Sequence, residues 1–140
     1  MAMAKSILVP VDGSDESSKA LEYAVEEYPD ADLTVLSVVN PGEAYDIEIV
    51  VDAHPRSDPP ETAHERAKAA LERAKEIAPN AETVSARGPV SQSIVTYAED
   101  EQMDLIVIGS RGRGGASRVL LGSVAETVAR RAPCPVLIVR

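Results

Sequence analysis

A segment rich in glycine and arginine in the last third of the chain has the residue types for anion binding. Five of the eight glycines lie between positions 109 and 122, and three arginines lie among them in an otherwise acidic sequence. Glycine lets backbone amides approach an anion closely, and arginine adds positive charge. Ser123-Val124-Ala125-Glu126 follows, with the pattern of a capping box, which predicts that a helix begins at a capping Ser123. A helix start behind a basic, glycine-rich loop favours phosphate, so we expect a phosphate site here.

The same composition is also compatible with a flexible connector whose arginines face solvent. The segment is not a Walker A loop, because it has no Gly-Lys-Ser/Thr ending. It is not the dinucleotide-binding fingerprint, which would follow the first strand, where Val11-Asp12-Gly13-Ser14 stands instead. The residues therefore favour an anion site over a connector without naming its ligand.

Five short apolar runs alternate with stretches of helical period. The runs are rich in β-branched residues and bounded by Pro, Gly, Asp or Asn, which is typical of strands buried on both faces. They cover residues 7–9, 33–39, 83–86, 105–108 and 136–139. The helical stripes between them cover residues 20–28, 63–78, 90–98 and 124–132. This order predicts a single α/β domain over residues 1–140, with a doubly wound parallel sheet.

Two strands have the character of sheet edges. Residues 83–87 are half polar, as expected for an edge that faces solvent. The last run is fully apolar, and no later element covers it: Val136, Leu137, Ile138 and Val139. At the opposite edge this strand would invite pairing with a second copy, so we expect a homodimer through it.

Residues 41–60 interrupt the alternation. They contain four prolines and one apolar piece, and they form a longer connection than compact domains usually have. A surface insertion and a flap over the ligand site both fit this composition.

Charge and composition exclude several classes of function. Fourteen Lys and Arg against 23 Asp and Glu give a net charge of −9 and a pI near 4.7. Nucleic-acid binding and anionic-membrane binding through a broadly basic surface are therefore not expected. The chain has no Trp and no Phe, so it also lacks a platform for stacking bases. No apolar run is long enough to span a membrane and no signal-peptide pattern opens the chain, so we expect a cytoplasmic protein.

Other reactive side chains are interpreted as structural. Cys134 lies between two prolines before a buried strand, which favours a packed, inert thiol. His54 and His64 are too isolated for a metal site and are interpreted as surface residues. Asp15 and Glu16 are expected in the first turn of a helix, where they complement its dipole. A further group of acidic residues is interpreted as a solvated face: Glu99, Asp100, Glu101 and Asp104.

The glycine spacing is similar to that of a known family. Gly109-x2-Gly112-x9-Gly122-Ser123 resembles the G-x2-G-x9-G-[S/T] pattern of the ATP-binding branch of the universal stress protein family. Residues 5–14, 120–125 and 132–139 resemble that family's opening and closing segments, so the likeness covers nearly the whole chain. Only the region 41–60 has no clear counterpart. The resemblance implies a five-stranded parallel sheet in the order 3-2-1-4-5, and dimers through the last strand.

By position, the resemblance implies that these residues contact ATP: Asp12, Val38, Ile108, Gly109, Gly112, Gly122, Ser123, Val124 and Ala125. The first two would lie against adenine and ribose, and the next two would line the approach to the ribose and phosphates. The remaining five would hold phosphates through backbone amides and the serine hydroxyl. Arg111 is added from its charge alone, and Mg²⁺ is expected to bridge the phosphates.

Three functions follow from this resemblance. The first is an ATP-binding stress regulator or nucleotide-dependent switch with at most slow hydrolysis, because no general base adjoins the glycine segment. The second is a nucleotide-free interaction module, against which the intact glycine pattern argues. The third is an adenylating enzyme of the ATP pyrophosphatase kind, whose Ser-Gly-Gly-x-Asp-Ser loop is missing after the first strand.

Overall fold

The fold is a five-stranded parallel sheet with helices on both faces. The computed structural model describes residues 5–40, 62–110 and 121–140. The strands are β1 (Ser6–Pro10), β2 (Asp32–Val39), β3 (Glu82–Arg87), β4 (Leu105–Gly109) and β5 (Val136–Val139). The helices are α1 (Asp15–Glu27), α2 (Ala63–Ile77), α3 (Val90–Asp100) and α4 (Ser123–Arg131). The sheet order is β3-β2-β1-β4-β5, which confirms the predicted α/β class and strand order.

Burial along the strands follows their position in the sheet. Ile7, Leu8 and Val9 in the central β1 are fully buried, because helices cover both faces there. β3 is exposed at alternate positions and all four residues of β5 are half-buried. Both strands lie at the edges of the sheet, as their composition predicts.

Two hydrophobic clusters fill the space between the sheet and its two helical layers. Ile7 and Val9 belong to a cluster with α1 and α2, whereas Leu8 belongs to the opposite cluster with α3 and α4. This division follows from the two-residue period of a strand. The buried face of α2 consists of the alanines Ala67, Ala70 and Ala74, which let that helix lie close to the sheet.

At the amino-terminal edge of the sheet, Asp104 makes hydrogen bonds that the sequence does not predict. The Ser6 amide donates to Asp104 Oδ2 at 2.8 Å, and the Asp104 amide donates to the Ser6 carbonyl at 2.8 Å. Asp104 is exposed, as expected of a solvated face, and its carboxylate also holds the start of β1. Glu99, Asp100 and Glu101 are exposed, as expected.

Helices α1 and α2 begin at side-chain caps. Ser14 caps α1, with Asp15 and Glu16 in the first turn as predicted. Thr62 caps α2 in a complete capping box with Glu65. Within the described ranges, no helix has the length and apolar character to cross a bilayer.

The capping box of α2 predicts a pH-dependent contribution to stability. Hydrogen bonds from the Thr62 backbone amide and from the Thr62 side chain lower the pKa of Glu65. Because this pKa is lower in the folded state, the stabilisation is complete above the unfolded value, about 4.3, and is lost as pH falls through the folded value. We expect Glu65→Gln to flatten the acid limb of the unfolding free energy measured against pH. Glu72→Gln, an exposed mid-helix change, is the control; equal profiles for the two variants would contradict the prediction.

Candidate functional site

The sheet topology creates a crevice between the carboxyl ends of β1 and β4. The chain runs from β1 outward to β2 and β3, then returns to β4 on the other side of β1. Ligands of doubly wound sheets bind where the strand order reverses in this way. The predicted site residues that the structure describes lie after or near the ends of β1, β2 and β4 and at the start of α4.

The turn between β1 and α1 is held by its own side chains. Asp12 Oδ1 accepts a hydrogen bond from the Ser14 amide at 2.9 Å, and Ser14 Oγ accepts one from the Ser17 amide at 3.1 Å. Ser17 Oγ donates to the Ser14 carbonyl at 3.0 Å and accepts from the Asp12 amide at 3.3 Å. Gly13 has φ of +85°, a conformation that glycine adopts without strain. The half-buried Asp12 therefore has a defined orientation at the crevice.

Because residue 109 is a glycine, the first turn of α1 packs directly against the end of β4. A Cβ atom at position 109 would lie 2.8 Å from the carbonyl oxygen of Glu16 and 3.1 Å from its Cβ. Real Cβ atoms do not approach backbone so closely, so only glycine fits without movement of α1. The contact brings the β1–α1 turn and the end of β4 together on the two sides of the crevice.

The peptide groups of Ser110 link β5 to the start of α4. The Ser110 amide donates to the Val139 carbonyl at 2.9 Å, and the Ser110 carbonyl accepts from the Gly122 amide at 2.7 Å. Ser110 itself is buried. Because the Gly122 amide is engaged within the protein, the amides at positions 123 to 125 are the ones directed out of this helix end.

Helix α4 begins one residue earlier than the capping-box pattern predicts. Gly122 is the N-cap, and its carbonyl accepts from the Glu126 amide at 2.9 Å. Glu126 pairs with Arg130 at 3.0 Å instead of reaching back to the helix start. The predicted capping role of Ser123 is therefore wrong, since Ser123 is the first helical residue. The described residues supply no side-chain cap at this end.

The first turn of α4 has the electrostatics of an anion site. The first amides of an α-helix have no acceptor within the helix, and the helix dipole adds positive potential there. In α4 these are the amides of Ser123, Val124 and Ala125. The Ala125 side chain is 2% exposed and packs in the α3–α4 cluster, which anchors the turn.

The apolar candidates lie at the same edge of the sheet. Pro10 is in register with Leu36, so Asp12 and Val38, each two residues further on, are at the same level. Val38 is half-buried, and Ile108 near the end of β4 is 5% exposed. Arg111 and Gly112 lie outside the described residues, as does the region 41–60. The structure thus brings together the described candidates from three strands and one helix.

Two residues of this region escape sequence reasoning. Ser17 could have been found, because it stands three residues after the capping Ser14, at the position from which a side chain reaches back to the helix start. Ser110 has no comparable signal, since its partners Val139 and Gly122 are contacts made only by the folded chain.

Within residues 5–40, 62–110 and 121–140, the remaining reactive side chains are not organised as a second site. Burial raises the pKa of the Cys134 thiol, and the nearby Asp104 carboxylate raises it further, so the thiolate is disfavoured. His64 is exposed. The described part of the chain holds no group of three or more His, Cys, Asp and Glu side chains able to bind a metal ion.

Comparisons with known proteins agree with this geometry. A family model described as the universal stress protein family matches residues 3–140. The chain is 36% identical over 149 aligned positions to the universal stress protein YxiE of Bacillus subtilis strain 168, covering 99% of this chain and 100% of that protein. It is similar to the solved universal stress protein UspA from Lactobacillus plantarum, with a TM-score of 0.73, 31% identity and full coverage of both chains. A universal stress protein solved in complex with cAMP is 26% identical, with a TM-score of 0.65 and 99% of each chain covered.

The contact at Gly109 predicts a stability effect. Gly109→Ala places a methyl group 2.8 Å from the Glu16 carbonyl, and we expect the free energy of unfolding to fall by about 1–3 kcal/mol. Gly122→Ala is the control, because its φ of −68° and ψ of 158° are open to alanine, and it should cost under about 1 kcal/mol. Urea denaturation followed by circular dichroism measures both. An equal or larger loss in the control would contradict the steric argument.

Proposed function

Because the chain belongs to the universal stress protein family, we propose that it binds ATP at the crevice between β1 and β4 and acts as a nucleotide-dependent stress regulator. The observation that carries this proposal is the convergence of the α4 amides with the Asp12 turn at the place where the strand order reverses. The family membership comes from the comparisons, and the ligand is our inference from the site.

The start of α4 provides for the phosphates. Its three amides donate hydrogen bonds without competition from the helix, and such bonds to charged oxygens are among the stronger ones in proteins. A chain with a net charge of −9 repels ATP at long range, so attraction must be local. The helix end provides it, and Arg111 and Gly112 extend it in our proposal.

The strand ends provide for the nucleoside. The Asp12 carboxylate is suited to accept hydrogen bonds from ribose hydroxyls or from the adenine amine. Val38 and Ile108 offer apolar surface for the base at the same edge. The solved neighbour in complex with cAMP supports an adenine nucleotide as the ligand class. The choice of ATP within that class rests on the glycine spacing.

Binding with slow hydrolysis fits the site better than efficient catalysis. The Asp12 carboxylate already accepts from the Ser14 amide inside a turn, which is a positioning arrangement rather than that of a general base facing water. Mg²⁺, where it takes part, would be held chiefly by phosphate oxygens, since this ion commonly keeps few protein ligands. A cytoplasmic location remains a prediction.

Nucleotide retention tests the proposal directly. The purified protein is denatured, and its supernatant is chromatographed at 260 nm. Near-stoichiometric ATP or ADP is the expected result, whereas no nucleotide together with no ATP binding in calorimetry favours the interaction module. Substrate-dependent release of pyrophosphate would instead favour an adenylating enzyme.

A matched pair of variants at position 123 separates the contributions of the serine amide and hydroxyl. Ser123→Pro removes both groups, yet proline is favoured at the first helical position and Gly122 already has the extended conformation that precedes proline. Ser123→Ala removes the hydroxyl only. We expect Ser123→Pro to weaken ATP binding about tenfold to a hundredfold, and Ser123→Ala less. Calorimetric titration measures both; equal affinities in the two variants would exclude an amide contact at this residue.

The edge strand β5 supports a homodimer as the second part of the proposal. The Pro135 carbonyl accepts from Ile106 in β4, and the Val139 carbonyl accepts from Ser110 just after β4. The peptide groups of Val136 and Ile138 therefore point away from the sheet. Their side chains, with those of Leu137 and Val139, are half-buried in one copy. An open apolar edge of this kind suits pairing with a second copy.

Replacement of Ile138 tests this dimer. Ile138→Pro removes an amide on the open side of β5 without removing a bond to β4, and proline is tolerated in edge strands. Light scattering at micromolar concentration should show a dimer for the wild type and for Ile138→Val, and a monomer for Ile138→Pro. A monomeric wild type, or a dimeric proline variant, would contradict pairing through β5.

A further inference from the structure

An arginine from α2 reaches across to the turn that orients Asp12. Arg73 Nη1 donates to the Gly13 carbonyl at 3.2 Å, and Nη2 donates to Asp15 Oδ1 at 3.2 Å. We propose that Arg73 is a positioning residue of the nucleotide site and holds Asp12 in its binding orientation. This inference rests on the proposed function, and it concerns a residue outside the glycine pattern.

One peptide group connects Arg73 to Asp12. The carbonyl of Gly13 and the amide of Ser14 belong to the same planar unit, so they rotate together. The carbonyl accepts from Arg73, and the amide donates to Asp12 Oδ1 at 2.9 Å. Rotation of this peptide breaks both bonds at once. Arg73 therefore acts on the Asp12 carboxylate across a single rigid group, and each bond polarises the peptide in favour of the other.

Arg73 adds a constraint from α2 to the hydrogen bonds that the turn makes within itself, and it does so at the glycine. Gly13 has φ of +85° and no side chain to restrict the orientation of the following peptide. A Cβ at position 13 would lie 3.9 Å from the Ala70 Cβ, so α2 packs directly beside the turn. Ala70 and Ala74 lie three residues before and one residue after Arg73, and both are buried. Their packing fixes the helix backbone that carries the guanidinium. The guanidinium thus extends from the packed helix α2 to the glycine of the β1–α1 turn.

The ion pair itself contributes little to folding. The side chains of Arg73 and Asp15 are 47% and 82% exposed, and exposed pairs are typically worth under about 1 kcal/mol. The bond to the Gly13 carbonyl, by contrast, supports the peptide that donates to Asp12 Oδ1. Loss of Arg73 should consequently reduce ligand affinity much more than the stability of the fold, and this separation makes the role testable.

Calorimetric titration of the full chain with ATP tests the inference. We expect Arg73→Ala to weaken binding about threefold to tenfold, the size of one net hydrogen bond. Arg73→Lys retains a donor and should recover part of the affinity, and Asp15→Ala should change it less than Arg73→Ala does. Lys75→Ala, which removes a positive charge and its hydrogen bonds to the Pro79 and Ala81 carbonyls at the carboxyl end of α2, is the matched control and should bind as the wild type does.

A double-mutant cycle with Asp12→Ala distinguishes positioning from a general effect on the fold. If Arg73 acts through Asp12, Arg73→Ala changes ATP affinity in the wild type but not in the Asp12→Ala background. Equal losses in both backgrounds, or an Arg73→Ala variant that binds like the wild type, would overturn the inference and leave the proposed function intact. A wild-type chain that binds no adenine nucleotide would overturn both.

Discussion

The contact between Gly109 and the Glu16 carbonyl is the constraint on which the arrangement of the site depends. α1 leaves the sheet after β1, yet its first turn lies against the end of β4, and a side chain at position 109 would separate the two. Because α1 is held there, the Asp12 turn and the end of β4 face one crevice. The same strand end continues into Ser110. The Ser110 carbonyl accepts a hydrogen bond from the Gly122 amide, and this bond fixes where α4 begins. The Asp12 turn, the end of β4 and the start of α4 are thus positioned relative to this close approach.

Local signals predict most of the fold. The β-branched runs give all five strands to within a residue or two, and the switch from half-polar β3 to apolar β5 predicts both edges. The start of α4 shows where local reasoning fails. Ser123 and Glu126 match a capping box, but the carbonyl of Gly122 occupies the capping position and Glu126 pairs with Arg130. Gly122 and Ser123, which are adjacent, could each cap the helix. The hydrogen bond from the Gly122 amide to the Ser110 carbonyl favours Gly122.

The site is predictable only where its residues follow one another in sequence. The glycine spacing is a local pattern, so it is visible before the fold is known, and Asp12 and Val38 are predicted only through the family resemblance that this spacing carries. The contacts of Arg73 and Asp104 are not visible in this way. Arg73 contacts a turn 60 residues away in sequence, and Asp104 contacts the start of a strand 98 residues away. Both look like ordinary surface charges in the sequence. Their roles arise when parallel strands and crossover helices bring distant segments next to each other. The sequence of an isolated segment does not predict such contacts.

The two hydrogen bonds of Ser110 also bear on the order in which the protein is assembled. Gly122 is held by Ser110, and Ser110 is held by Val139, which follows both of them in the chain. A chain that emerges from its amino end can form β1 to β4 before this last strand is present. The helix start that faces the anion then acquires its final support only when β5 docks. Competence to bind a ligand would thus arise at the end of folding, and amide exchange at Ser110 and Gly122 would report that event.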